Sequence, residues 1–360
     1  MIIGHGGNKQ ELAQKLGCPV QEIIDMSSNL NPLGPPPEIS NMIENNLGTL
    51  LSLPEPDALT MRKGFARFHA IDPDQVMAGN GTTWFIYAVP MALNSKKVLI
   101  CGPTYSDYKD ACAMHGIEYT HALARSEQGF QPDMDEISDL AGQADLVFFC
   151  NPNNPTGALV SRDRIEFLLK RHPGTCFVID ESYLPFADLA DEISLVSRTR
   201  YSNLLVLSSM SKIFRIPGLR TGFLSGDRAL IEKLFRYYQP WSVNSLAQSV
   251  ISRVFDQPEF ILSFYEATRE FTFREKQIFT DAVKECPGLK IYPGSTYFIL
   301  AELQGFTAPE FCARVGQDKI LIRDCTNFYG LTRQFVRFSL KTREINTKLA
   351  VSIKKVIQNG

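Results

Sequence analysis

Between residues 58 and 238 the chain repeats one rhythm: a short apolar run, a turn, then a longer amphipathic segment. The runs at 75–79, 97–101, 117–123, 145–150, 176–180, 203–208 and 221–225 have the length and residue types of strands. The segments at 58–69, 106–115, 133–141, 161–171 and 228–238 have helical character, and another helix opens at Thr82-Thr83. Strands that alternate with helices and are apolar along most of their length predict a mainly parallel sheet covered on both faces. The expected fold class is therefore α/β, with a central sheet in a large domain.

Outside that stretch the pattern changes. Residues 1–40 are rich in turn formers, with a short polar helix expected near 9–16. The three prolines Pro35-Pro36-Pro37 exclude a regular helix through 26–37, because proline fixes φ and offers no donor. Residues 242–285 read as a long helical pair or one bent helix bridging two domains. Strands near 289–292, 296–303, 320–323 and 335–340, with helices at 308–317 and 342–357, predict a smaller α+β domain. The expected division is an N-terminal arm (1–40), a large domain (41–245), and an interdomain helix with a small domain (246–360).

Composition narrows the function classes. A formal net charge of -2 gives no reason to expect nucleic acid or an anionic membrane as partner. The eight cysteines are scattered without CxxC spacing, which indicates neither a zinc site nor a disulfide framework, so no metal is expected. Met1–His5 lacks a signal-peptide flank and no apolar run reaches membrane-spanning length, so the expected location is the cytoplasm.

In open α/β sheets ligands bind beyond the carboxyl ends of the strands. Each of several strand ends here carries polar residues suited to one ligand. Gly79-Asn80-Gly81 leads into Thr82-Thr83, where backbone N–H groups at a helix start suit a phosphate. Tyr105 follows the run 97–101 and offers a flat ring for stacking. Asn154 follows 145–150 as a donor to a phenolate oxygen. Asp180 closes 176–180, with Tyr183 three residues on. Ser209, Ser211 and Lys212 follow 203–208, and Arg220 stands eight residues beyond the lysine.

A lysine for an aldehyde, a carboxylate for a ring nitrogen and an arginine for a phosphate match pyridoxal 5'-phosphate. Lys212 would form the Schiff base, which needs a neutral amine that burial favours. Asp180 would keep the pyridine nitrogen protonated. Asn154 and Tyr183 would hydrogen-bond the ring oxygen O3'. Arg220, Ser209, Ser211 and the Gly81-Thr82-Thr83 backbone would hold the phosphate.

The motifs Asn151-Pro152-Asn153-Asn154-Pro155-Thr156-Gly157, Asp180-Glu181-Ser182-Tyr183 and Ser209-Met210-Ser211-Lys212, with Arg220, stand in the order found in class I/II aminotransferases. The chain resembles that family of fold-type I pyridoxal-phosphate enzymes from about residue 27 to 340. Within it, the chain resembles the histidinol-phosphate aminotransferase branch and, more closely, that branch's decarboxylases of cobalamin biosynthesis. The closer likeness rests on His5-Gly6-Gly7-Asn8, Ser28-Asn29-Leu30-Asn31-Pro32-Leu33-Gly34 and Pro240-Trp241-Ser242-Val243-Asn244. The resemblance implies that Arg337 binds a substrate α-carboxylate and that Arg323 and His5 face a substrate phosphate, with Asn31 close by. It also implies a homodimer with its sites at the interface. Leu53-Pro54 departs from the branch's usual Tyr-Pro, whose tyrosine reaches the neighbouring subunit's cofactor phosphate.

The expected activity is decarboxylation of an O-phospho-hydroxyamino acid, giving an aminoalkyl phosphate for the cobamide nucleotide loop. L-threonine O-3-phosphate is the favoured substrate and L-serine O-phosphate the other candidate. The alternative is a histidinol-phosphate aminotransferase. A cofactor-sensing regulator would need a helix-turn-helix, for which the segment ahead of the cofactor domain is too short.

Overall fold

The computed structural model describes residues 6–359. Thirteen strands fall into three sheets: β1 Ile24–Asp25, β2 Val76–Asn80, β3 Lys97–Gly102, β4 Glu118–Leu123, β5 Leu146–Cys150, β6 Cys176–Asp180, β7 Leu204–Ser209, β8 Thr221–Gly226, β9 Leu289–Ile291, β10 Phe298–Leu303, β11 Ile320–Leu321, β12 Arg323–Asp324 and β13 Phe335–Ser339. The main sheet runs β2-β8-β7-β6-β5-β3-β4. Every pairing in it is parallel except those of β8, which lies antiparallel between β2 and β7. The mainly parallel sheet is thus as expected, with one strand reversed.

Burial follows position in the sheet. Central β5 (Leu-Val-Phe-Phe-Cys) and β6 (Cys-Phe-Val-Ile-Asp) are buried at every residue, as a sheet covered on both faces requires. Edge strand β4 exposes Glu118, Tyr119 and Thr120. Thus the polar residues that end β5, β6 and β7 open at the middle of the sheet, next to one another.

The last third of the chain builds an antiparallel sheet, β12-β13-β10-β9. The expected strand at 320–323 divides, because its two halves have different partners. Ile320–Leu321 pairs with β1 of the N-terminal segment, and Arg323–Asp324 pairs with β13. The helical stretch at 242–285 resolves into Ser245–Phe255 and Pro258–Val283, parted at Asp256-Gln257. Pro258 stands at the first position of the second helix, where its missing N–H costs nothing. Pro37 begins a helix, Pro37–Glu44, in the same way, an element not expected from the sequence.

Two main apolar cores result. One surrounds the seven-stranded sheet, and the other holds Phe279, Ile299, Phe311, Val336, Phe338 and Leu349. The helix Pro258–Val283 feeds both, with Ile261 in the first and Phe279 in the second. Met26, fully buried, places the N-terminal segment in the second core. Among the described residues no helix is long and apolar enough to cross a membrane.

Candidate active site

Lys212 lies in the short helix Met210–Ile213 that follows β7. Around it is a cavity of about 90 Å³ lined by Gly81, Thr82, Thr83, Tyr105, Tyr108, Asn154, Asp180, Ser182, Tyr183, Ser209, Ser211 and Arg220. All the cofactor residues expected from the sequence are therefore brought together. Burial, with Arg220 and Arg337 nearby, pushes the Lys212 amine down to about 8, against the pull of Asp180. An amine so shifted reaches its neutral, nucleophilic form far more readily than a surface lysine.

Asp180 closes β6 at the floor of the cavity. Its Oδ1 accepts the Ser182 N–H at 2.9 Å, and its Oδ2 accepts the Tyr108 hydroxyl at 2.8 Å. Burial raises its pKa, opposed by bonds from Ser182 and Tyr108 and by Lys212.

The phosphate end is built from a close approach of β8 to the start of the helix Thr82–Ala92. A Cβ on Gly222 would lie 2.6 Å from the Thr82 nitrogen, and one on Gly81 would lie 2.7 Å from Arg220 Nη2. Gly81 also takes φ +77, a conformation that suits glycine. Bare backbone at both positions lets the guanidinium and the helix N-terminus face one point, which fits an anion.

Above the floor, two donors are oriented by their neighbours. Asn154 Oδ1 accepts from Arg337 Nη1, which leaves the Asn154 amide N–H groups for another acceptor. Tyr183 oxygen accepts Asn29 Nδ2 at 3.3 Å, and Asn29 Oδ1 accepts Ser339 Oγ at 2.5 Å. Because its oxygen already accepts from Asn29, the Tyr183 O–H is available to donate elsewhere. Burial pushes its pKa up to about 12, so the proton stays on.

A second chamber of about 270 Å³ meets the first at Tyr105, Asn154, Tyr183 and Lys212. Gly6, Ser27, Ser28, Asn29, Leu30, Arg323, Phe328 and Arg337 line it. Arg337 Nη2 donates to Ser27 O at 2.6 Å, so the N-terminal segment fixes this guanidinium from one side. Arg323 donates to Asn327 Oδ1 at 2.6 Å and lies over the Phe328 ring at 5.3 Å.

One expectation differs and one lies outside the described residues. Asn31 does not line the chamber: its amide donates to Ile213 O at 2.7 Å and Thr268 Oγ1 at 3.0 Å, and accepts Leu33 N–H at 2.9 Å. Its amide N–H groups hold the segment against the lysine-bearing turn and the helix Pro258–Val283, and Asn29 takes the position facing the cavity. His5 lies outside the described residues. Tyr108, Ser182 and Asn29 were not singled out from the sequence. The spacing Tyr105-x-x-Tyr108 at a helix start was the available signal for the first. Two larger cavities, of about 800 and 410 Å³, lie elsewhere and share only Ser209 with the expected site. Among the described residues no cluster suited to a metal ion occurs.

A lysine of lowered pKa, a buried carboxylate opposite it and an anion cradle at a helix start define a fold-type I pyridoxal-phosphate enzyme. The chain belongs to the aminotransferase class I and II family, whose model matches residues 21–353, and pyridoxal 5'-phosphate is its cofactor. It is 29% identical over 357 residues to the threonine-phosphate decarboxylase of Salmonella typhimurium, covering 98% of this chain and 96% of that one. It is 26% identical to the histidinol-phosphate aminotransferase of Methanocaldococcus jannaschii, over 98% of this chain and 94% of the other. The adenosylcobalamin biosynthesis bifunctional protein CobDQ of Leptospira interrogans matches at 29% over 96% of this chain, which spans only 40% of that protein. The solved L-threonine-O-3-phosphate decarboxylase of Porphyromonas gingivalis superposes with a TM-score of 0.84 at 28% identity, over 93% of this chain and 100% of that one.

Proposed function

We propose that this enzyme decarboxylates an O-phospho-hydroxyamino acid, with L-threonine O-3-phosphate the favoured substrate and an aminoalkyl phosphate for a cobamide nucleotide loop the product. The observation that carries this reading is the outer chamber: two buried arginines, Arg337 and Arg323, share its wall beyond Lys212. Two fixed cations suit a substrate with two anionic ends, and arginine's planar fork suits both carboxylate and phosphate. Full-length similarity to proteins named threonine-phosphate decarboxylases supports the same substrate class.

Pyridoxal phosphate supplies an electron sink for the pair left at Cα when one of its bonds breaks. The chain's own residues decide which bond that is. Arg337, held by Asn154 and Ser27 O, takes the α-carboxylate, while Arg323 takes the phosphate. Together they would fix the substrate's carboxylate and phosphate ends and so orient the Cα–carboxylate bond for cleavage. Lys212, near neutrality in its pKa, then delivers the proton that replaces CO₂ at Cα. A single methyl separates phosphothreonine from phosphoserine, a difference worth about 1–3 kcal/mol. The working form is a cytoplasmic homodimer, each chain comprising an arm, a large domain and a small domain.

The deciding experiment supplies L-threonine O-3-phosphate and L-serine O-phosphate separately, with no keto acid present. CO₂ release with an aminoalkyl phosphate is expected, faster with the threonine compound. No CO₂, but amino transfer from glutamate to imidazole-acetol phosphate, would place the chain with the histidinol-phosphate aminotransferases instead.

A further inference from the structure

We propose that Tyr108 is a positioning residue for the cofactor: its hydroxyl keeps Asp180 ionised and aimed, so that the proton shared by that carboxylate and the pyridine nitrogen stays on nitrogen. Tyr108 lies in the first turn of the helix Asp107–Met114 and is fully buried. Its ring stacks on Phe148 of β5 at 4.9 Å and 17°, and meets Tyr105 edge-on at 6.0 Å. The stack uses only the ring. A phenylalanine would pack equally well, so the hydroxyl has its own task, the 2.8 Å bond to Asp180 Oδ2.

A carboxylate facing a pyridine has one proton to place. On oxygen it makes a neutral pair, which a dry site favours; on nitrogen it makes an ion pair. Only the second lets the ring draw electrons from Cα. Asp180 is deeply buried, which pushes toward the neutral pair. A hydrogen bond to the ionised carboxylate opposes that push, and Tyr108 supplies one on Oδ2 while the Ser182 N–H supplies one on Oδ1. Each oxygen then keeps a lone pair for the ring N–H. Tyr108 remains a donor throughout, because burial and the adjacent Asp180 push its own hydroxyl well above the ordinary tyrosine range.

The test compares holoenzyme with Tyr108→Phe, using ¹⁵N-labelled pyridoxal phosphate and the ring-nitrogen NMR shift. No substrate is needed, so the result is independent of the decarboxylase reading. The wild type is expected to show a protonated nitrogen, and Tyr108→Phe a shift toward the unprotonated value. Affinity for pyridoxal phosphate should fall roughly 10- to 100-fold, as for loss of a hydrogen bond to a charged group. Affinity for 1-deaza-pyridoxal phosphate, which has no ring nitrogen, should fall much less. An unchanged nitrogen shift, or equal loss for both cofactors, would overturn the proposal. Phe148→Leu disturbs the stack but keeps the hydroxyl and is expected to leave the nitrogen shift in place; an equal change there would assign the effect to packing. A Tyr108→Phe protein that does not fold would assign the hydroxyl to stability and likewise overturn the role. Failure of the wild type to bind either cofactor would refute the cofactor itself, a separate outcome.

Discussion

At the scale of single residues, Lys212 shows how a reactive group is held at a cost. Its amine sits at about 8 in the folded chain against an ordinary lysine value of 10.5. A depressed lysine pKa means that the folded state binds this proton less well than the unfolded one. The penalty is full below pH 8, fades as pH rises, and is gone above 10.5. Cofactor-free wild type should therefore be less stable than Lys212→Met at pH 7, by at most roughly 3 kcal/mol, with the gap closing toward pH 10. Urea unfolding of both proteins across that range reads it, and a pH-independent gap would count against the shift. Asn31 and Asn29 make a second contrast. Asn31→Ala leaves Ile213 O and Leu33 N–H without their buried partner and should lower stability by about 2–4 kcal/mol, visible in the urea midpoint. Asn29→Ala removes the donor to Tyr183 and should appear in kcat/KM with a smaller change in the midpoint.

At the scale of elements, the phosphate cradle is a meeting of three pieces: the end of β2, the start of the helix Thr82–Ala92 and the residue before β8. None carries enough alone. Gly81 is the point where they touch, with φ +77 and Arg220 Nη2 2.7 Å from where a Cβ would stand. Gly81→Ala must displace the guanidinium and strain the backbone, at roughly 1–2 kcal/mol for the strain. The variant should bind pyridoxal phosphate about 10-fold or more weakly by equilibrium dialysis, with its fold intact. Unchanged affinity would mean that Arg220 holds the phosphate from another direction. The N-terminal segment is a second composite. Ser339 N–H donates to Met26 O and Ile24 pairs with Ile320, while Asn31 N–H donates to Lys212 O. The same eight residues thus touch the sheet that carries Arg337 and the turn that carries Lys212.

At the scale of the whole molecule, the segment around Leu53 points to assembly. Leu51 is 91% exposed and Leu53 81%, with Leu47, Leu50 and Trp241 also exposed. The segment is not loose: Gln248 accepts from Glu55 N–H and donates to Glu55 O, and Trp241 N–H donates to Pro56 O. A rigid apolar patch suits a subunit contact, and sedimentation should give twice the chain mass of 40.4 kDa. Leu51→Asp with Leu53→Asp should shift it to monomer; a wild-type monomer at micromolar concentration would refute the dimer. Much of this architecture is legible in the sequence. The strand ends carrying Asp180, Lys212 and Arg220 follow apolar runs directly, and a run marks its own end. The direction of β8 is not legible, since an apolar run has no polarity. Nor is the bond from Tyr108 to Asp180, which joins residues 72 apart and exists only once β5 and β6 lie side by side. Asn29 and Asn31 share one motif and, two residues apart, would share a face of a regular extended segment; here Leu30 N–H turns back to Ser28 O, and only packing decides which of the two faces the cavity.

The position of β8 also bears on how the molecule is made. During synthesis β2 emerges early, yet among the described residues β8 is its only partner in the sheet. Until Thr221–Gly226 leaves the ribosome, Val76–Asn80 has no strand partner among the described residues and the phosphate cradle lacks one wall. A chain released before that point carries an unpaired apolar edge, the kind of surface that chaperones screen and that aggregates form on. The cofactor can therefore find a complete seat only on a nascent chain already well past its midpoint.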